Sequence, residues 1–168
     1  FQPEDGIRDG CLCLVGSELC KRDSYNFAIK GVVNALPPEI AVRGNGQSIS
    51  DGDSSPRTQD HTDFGSVTAG GTAVTRTFTV QNTGTGTLTT NLTQASLPDG
   101  FTLVEGLNTS IAPGGSDTFQ VRLNTSAAGS KSGDIRFTTN DPDESTYNFA
   151  IKAVSYTHLR AHETEATI

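Results

Sequence analysis

The sequence predicts an all-β fold, an immunoglobulin-like antiparallel β-sandwich of about seven to nine strands, and three observations predict it. Apolar side chains recur at every second position in short runs. Clusters of Gly, Pro, Asn and Asp interrupt these runs roughly every ten residues. No stretch shows the periodicity of an amphipathic helix. Half-buried strands must cover one face with a second layer, and two facing antiparallel sheets satisfy that need.

In chain order, Glu39-Ile40-Ala41-Val42 opens the sheet, and Asp63-Phe64-Gly65-Ser66-Val67 follows a polar loop. Within Thr72 to Gln81, Val74, Phe78 and Val80 share one face, with Arg76 its one charged member. Leu88 and Leu92 alternate with Thr87, Thr89, Asn91 and Thr93. Phe101 and Leu103 share a face, as do Phe119, Val121 and Leu123. Ile135 with Phe137 repeats the pattern, and Tyr147, Phe149 and Ile151 close it. Thr75, Thr77 and Thr79 read as solvent-facing strand positions. The turns are Asn82 to Gly86, Pro98-Asp99-Gly100, Pro113-Gly114-Gly115 and Asn140 to Asp143. No Cys-Trp-Cys pattern is present, so Phe, Leu, Val and Ile must hold the sheets together without a disulfide.

Length and composition exclude several classes. A chain of 168 residues has the length of one domain and can bury a workable core. No apolar run reaches the roughly 18 residues of a membrane span, so no membrane insertion is expected, and no basic, apolar signal segment opens the chain. The formal charge of −7 argues against nucleic acid, which needs clustered Lys and Arg to neutralise phosphates.

The strongest single signal is an internal repeat. Ser24-Tyr-Asn-Phe-Ala-Ile-Lys30 recurs as Thr146-Tyr-Asn-Phe-Ala-Ile-Lys152, 122 positions later, with all but the first residue identical. The two segments therefore read as equivalent last strands of successive repeats. Residues 24–33 end one unit, residues 34–38 form a linker stiffened by Pro37 and Pro38, and residues 39–154 form the next unit. A period this long means separate beads, each with its own core, and not a solenoid. The partners implied are neighbouring Ig-like repeats of the same chain. Residues 1–23 and 155–168 differ in composition from the rest and resemble translated sequencing-adapter read-through, so they are set outside the fold.

A set of motifs then carries a family resemblance: Pro38 to Gly46 (PEIAVRGNG), Ile49 to Asp53 (ISDGD), Thr62 to Gly65 (TDFG), Arg76 to Gly84 (RTFTVQNTG), Ile111 to Ser116 (IAPGGS) and Asn140 to Glu144 (NDPDE). In this order they resemble the choice-of-anchor D repeats of bacterial surface proteins, within the Hydin-like immunoglobulin-type domains. The resemblance covers about Pro38 to Val154. It implies a non-enzymatic repeat, a spacer or display unit with a structural or adhesive role, in a large exported protein at the bacterial cell surface. A surface or protein ligand is a further partner that it allows. Two alternatives stay open. One is a ligand- or carbohydrate-binding accessory domain of a secreted enzyme. The other is a Hydin-like microtubule- or cilium-associated domain.

The polar residues carry few chemical signals. Cys11, Cys13 and Cys20, and the pair His158 and His162, have spacings a metal could use, but all lie in the two adapter-like ends. His61 stands between Asp60 and Asp63, yet no nucleophile motif accompanies it, and it reads as a solvated loop residue. No catalytic residue and no required cofactor is therefore expected. Calcium is the one cofactor the loops suggest, through two segments, Asp51 and Asp53 with Asp60 and Asp63, and Asp141, Asp143 and Glu144, since a hard cation takes several carboxylate oxygens. Their spacing does not match an EF-hand, and Asp in such loops more often bonds nearby amides to shape a turn.

Overall fold

A computed structural model describes residues 36–157. The chain divides into two units, Phe1–Asn34 and Ala35–Ile168, and all described residues belong to the second. The first copy of the repeated segment, the three cysteines, His158 and His162 lie outside the described residues.

Ten strands are present among the described residues: β1 (Ile40–Gly44), β2 (Gln47–Ile49), β3 (Asp63–Thr68), β4 (Thr75–Asn82), β5 (Leu88–Asn91), β6 (Phe101–Glu105), β7 (Ser110–Ile111), β8 (Ser116–Leu123), β9 (Gly129–Thr139) and β10 (Thr146–Tyr156). A single 3-10 turn, Gln94–Ser96, joins β5 to β6. The two sheets have the orders β2-β1-β4-β8-β6 and β3-β10-β9-β5-β7, an immunoglobulin-like sandwich. The count exceeds the expected range because β2 and β7 are three and two residues long, too short for alternation to register. The β1–β2 connection is a two-residue hairpin, with Gly44 opposite Gln47. Asn45 and Gly46 both take positive φ there, the conformation an Asn-Gly turn favours.

One pairing departs from the antiparallel expectation. β3 runs parallel to β10, from Asp63 opposite Lys152 to Thr68 opposite Tyr156, with a bulge between Lys152 and Val154. An isolated parallel bridge joins Asp53 to Phe149. The chain leaves β2 in one sheet and crosses over to begin β3 in the other, so β3 is not joined to β10 by a hairpin. Alternation tells which face of a strand is buried, and it carries no information on the direction of its neighbour.

The core follows the expected faces. Phe78, Val80, Phe119, Val121, Leu123, Ile135, Phe149 and Ile151 have no exposed surface, and Phe137 and Tyr147 very little. Phe78 lies directly opposite Phe119 across β4 and β8, their rings stacked at 5.2 Å. The two sheets meet where Phe78 contacts Phe149 at 5.4 Å and Phe119 contacts Phe137 at 6.3 Å. A second pair, Phe64 on β3 and Phe101 on β6, meets edge to face at 5.0 Å. Thr75 and Thr77 face solvent as expected, while Thr79 is half-buried. Val74 precedes β4 but still packs against the core. β10 continues through buried Ser155 to Tyr156, two residues past the boundary at Val154.

The strand directions separate the two ends of the domain. Leu36 to Ile40 lies with the β4–β5 and β9–β10 loops at one pole, through bonds of the Thr83 amide to the Glu39 carbonyl and of the Ile40 amide to Asp141. Tyr156 lies at the other, where its carbonyl accepts from the Ala69 amide at 2.7 Å. β10 has 11 residues and runs from the first pole to the second. At about 3.3 Å per residue the poles are roughly 35 Å apart.

Candidate functional site

The polar residues singled out by sequence converge mainly on the N-terminal pole, and several bond to backbone. Asp141 is buried, and its Oδ2 accepts from the Ile40 amide at 2.8 Å. That bond joins the β9–β10 loop to β1 in the opposite sheet, across 101 residues of chain. Asn140 does the equivalent for β5: its Oδ1 accepts from the Thr89 amide at 2.7 Å, and its Nδ2 donates to the Thr87 carbonyl at 3.0 Å. Thr139 closes the turn by donating through Oγ1 to the Glu144 carbonyl and accepting from the Asp141 amide. The NDPDE motif thus pins two strands to one loop.

Asn82 is the second hub, fully buried at the end of β4. Its Nδ2 donates to the carbonyls of Gly86 at 2.8 Å and Ile111 at 3.0 Å. Its Oδ1 accepts from the amides of Gly84 at 3.1 Å and Glu39 at 3.4 Å. Every hydrogen-bonding group of this side chain is occupied, which is what burial of an amide requires.

The two loop segments considered for calcium meet different partners. Glu39, Asp141 and Asp143 form a group whose ligand oxygens lie within 4.8 Å of one another. Glu39 joins it from β1's approach, a residue that sequence spacing alone did not single out because it lies 102 positions before Asp141. Asp51 instead caps β10 at its Oδ1, accepting from the Asn148 amide at 2.7 Å. Asp53 accepts from the Ser55 amide and pairs with Arg57 at 2.5 Å. Glu144 has its carboxyl pushed above the usual range, first by burial and then by Asp141, Glu39, Asp143 and Asp51. Its Oε2 is buried without a hydrogen-bond partner. Calcium takes six to eight oxygens, drawn from carboxylates, carbonyls and water, so these three carboxylates are at most part of a coordination shell; one oxygen of Asp141 also accepts from the Ile40 amide.

The histidine region is likewise structural. Asp60 is buried, accepting from Thr62 Oγ1 and pairing with Arg57 Nε at 3.2 Å. Asp63 pairs with Lys152 at 3.3 Å and accepts from the Gly65 amide. His61 sits between them at a φ of 66°, with its Nδ1 unpartnered. Burial, then Arg76, lowers its pKa, against the opposing pull of Asp60. Tyr147 donates from its hydroxyl to the Ile49 carbonyl at 2.5 Å, linking β10 to β2, and burial raises its pKa.

A two-sheet sandwich whose polar side chains fasten loops and strand ends to one another defines an immunoglobulin-like domain. Residues 57–154 match the family described as HYDIN/CFA65/VesB-like, Ig-like domain, and the chain belongs to that family. No curated protein matches it. Among solved structures it is similar to a protein of unknown function from Porphyromonas gingivalis W83, at 18% identity and a TM-score of 0.50. That likeness covers 73% of this chain and 49% of the other, so the chain spans about half that protein's length. It is similar also to PapD-like domain 7 of human CEP192, at 13% identity and a TM-score of 0.47, over 81% of this chain and 98% of that one. The VesB protease of Vibrio cholerae matches at 17% identity and a TM-score of 0.43, over 56% and 30%. At these identities the likeness is one of fold.

Proposed function

We propose that this domain is a non-catalytic repeat of a large exported bacterial surface protein, a choice-of-anchor D unit that supplies length, stiffness and display. The observation that carries the reading is the position of Leu36 and Tyr156 at opposite poles, spanned by β10. Copies joined in series through such ends each add about 35 Å of reach, whereas a domain with adjacent ends adds little. The motifs that carried the resemblance support it, since Asn82, Asn140 and Asp141 each bond to loop or strand backbone. Neighbouring Ig-like repeats of the same chain are its partners in this reading. Residues 39–154 hold 12 acidic against 7 basic side chains, a balance that favours solubility and disfavours nucleic acid.

The test is exchange within a displayed protein. The chain is placed between a cell-surface anchor and a binding reporter, then replaced by an unrelated sandwich of equal pole-to-pole length. Equal reporter binding with both supports the spacer. Attachment to glycans or host surfaces that only this chain confers, and that free chain competes away, overturns it in favour of a binding accessory domain.

In this reading the acidic loops need no cation. Thermal unfolding in millimolar calcium and in chelator is then expected to give the same Tm. A rise of several degrees with calcium, abolished by Glu39→Gln, would instead make Glu39, Asp141 and Asp143 a cation site.

A further inference from the structure

The segment leading into β1 and the β4–β5 loop fit one another in a way the linker's two prolines alone do not explain. Pro37 and Pro38 have no amide hydrogen, so this stretch offers carbonyl acceptors and lacks donors until Glu39. The loop facing it presents donors. Thr85 and Gly86 both donate to the Pro37 carbonyl, at 3.0 and 2.9 Å, and Thr83 donates to the Glu39 carbonyl at 2.8 Å. The first available amide, that of Glu39, turns to Asn82 Oδ1. Backbone approaches backbone so closely that no side chain fits between. A Cβ on Gly84 would stand 2.5 Å from the Glu39 nitrogen, and one on Gly86 would overlap the Leu36 carbonyl oxygen.

We propose that Asn82 to Gly86 is a docking site for the inbound chain, and that it fixes Leu36 to Glu39 as part of the folded domain. The occupant is the peptide that enters from the preceding unit, recognised by donor-to-acceptor matching on a glycine floor. The asparagine anchors the floor from beneath, through its own bonds to Gly86 and Ile111. The proline pair then serves recognition as well as stiffness: it leaves this stretch offering carbonyls to the loop's amide donors. The proposal rests on the spacer reading for its purpose, but the joint itself is a property of the domain and can fail separately.

The test uses the full chain. Amide hydrogen exchange at Thr85 and Gly86 is expected to be slower by about tenfold or more than at free loop amides, since opening must break both bonds to Pro37. The Leu36 amide is expected to show an order parameter near the roughly 0.85 of rigid backbone. In Gly86→Ala, protection at Thr85 and Gly86 falls to loop level and the Leu36 value drops below about 0.6, while amides of β8 and β10 stay protected. Fast exchange at Thr85 and Gly86 in the unaltered chain overturns the proposal, whether or not the variant folds. So does a folded Gly86→Ala with Leu36 unchanged. Neither result touches the displayed-reporter comparison, on which the spacer reading stands or falls.

Discussion

At the scale of single residues, acidic side chains do two opposite things within one loop. Asp141 is stabilising because its buried carboxylate meets the Ile40 amide, a partner that would otherwise stay unpaired. Asp141→Ala is expected to destabilise by about 1–3 kcal/mol in denaturant unfolding, and Asp141→Asn, which keeps an acceptor, by less. Glu144 is strained: folding desolvates it beside four other carboxylates and raises its pKa from 4.5. A raised folded value means that its favourable share of stability is fully present below the unfolded pKa and is lost as pH rises through the folded one. Glu144→Gln is therefore expected to raise Tm at pH 7, with the gain fading as pH falls through the raised folded pKa and absent below about 4.5; an equal gain at pH 3 would contradict this. His61 works the other way. Its lowered pKa makes the unfolded state bind the proton first, so its contribution declines as pH drops below 6.5. The sequence marked Asp141 as a turn former, but its distant partner Ile40 could not be read, because nothing in local spacing brings β1 to that loop.

At the scale of elements, the legible features were those with a local cause. Alternation in β4, β8, β9 and β10 named the core faces, and the structure buries Phe78, Phe119, Phe137 and Phe149 on them. Phe119 touches Phe78 on its own sheet and Phe137 on the other, so its removal opens both contacts. Phe119→Ala is expected to cost about 3–5 kcal/mol, measured by denaturant or thermal unfolding. The β1–β2 hairpin had a sequence signal in Asn45-Gly46, two residues that tolerate positive φ. It went unread because β2 is only three residues long. The parallel pairing of β3 with β10 had no local signal at all. It follows from the crossover between sheets over Ser50 to Thr62, where the Asp53 bridge and the Lys152 amide bonded to the Thr62 carbonyl guide the chain alongside β10. Likewise, the pairing of Asp53 with Arg57 is local, four residues apart, whereas only strand order could bring Glu39 to Asp141 and Asp143.

At the scale of the whole molecule, the proposed spacer reading makes the domain a strut between two poles. Both sheets share one aromatic core, and β10 pairs with β9 over ten successive positions, so the long axis is braced by a continuous ladder. The N-terminal pole is tied by Asn82, Asn140 and Asp141, and the C-terminal pole by backbone bonds from Ala69 to Tyr156 and from Gly70 to Thr125. Stiffness along that axis is what a serial spacer requires, and it depends on packing and ladder bonds with no disulfide among the described residues. The most direct test is a distance distribution between spin labels at Leu36→Cys and Tyr156→Cys, both exposed positions, with Cys11, Cys13 and Cys20 changed to Ser. A rigid domain with Leu36 and Tyr156 at opposite poles gives a single narrow distribution centred at about 35 Å before allowance for the label arms. A centre below about 20 Å, or a broad spread of distances under native conditions, would contradict it.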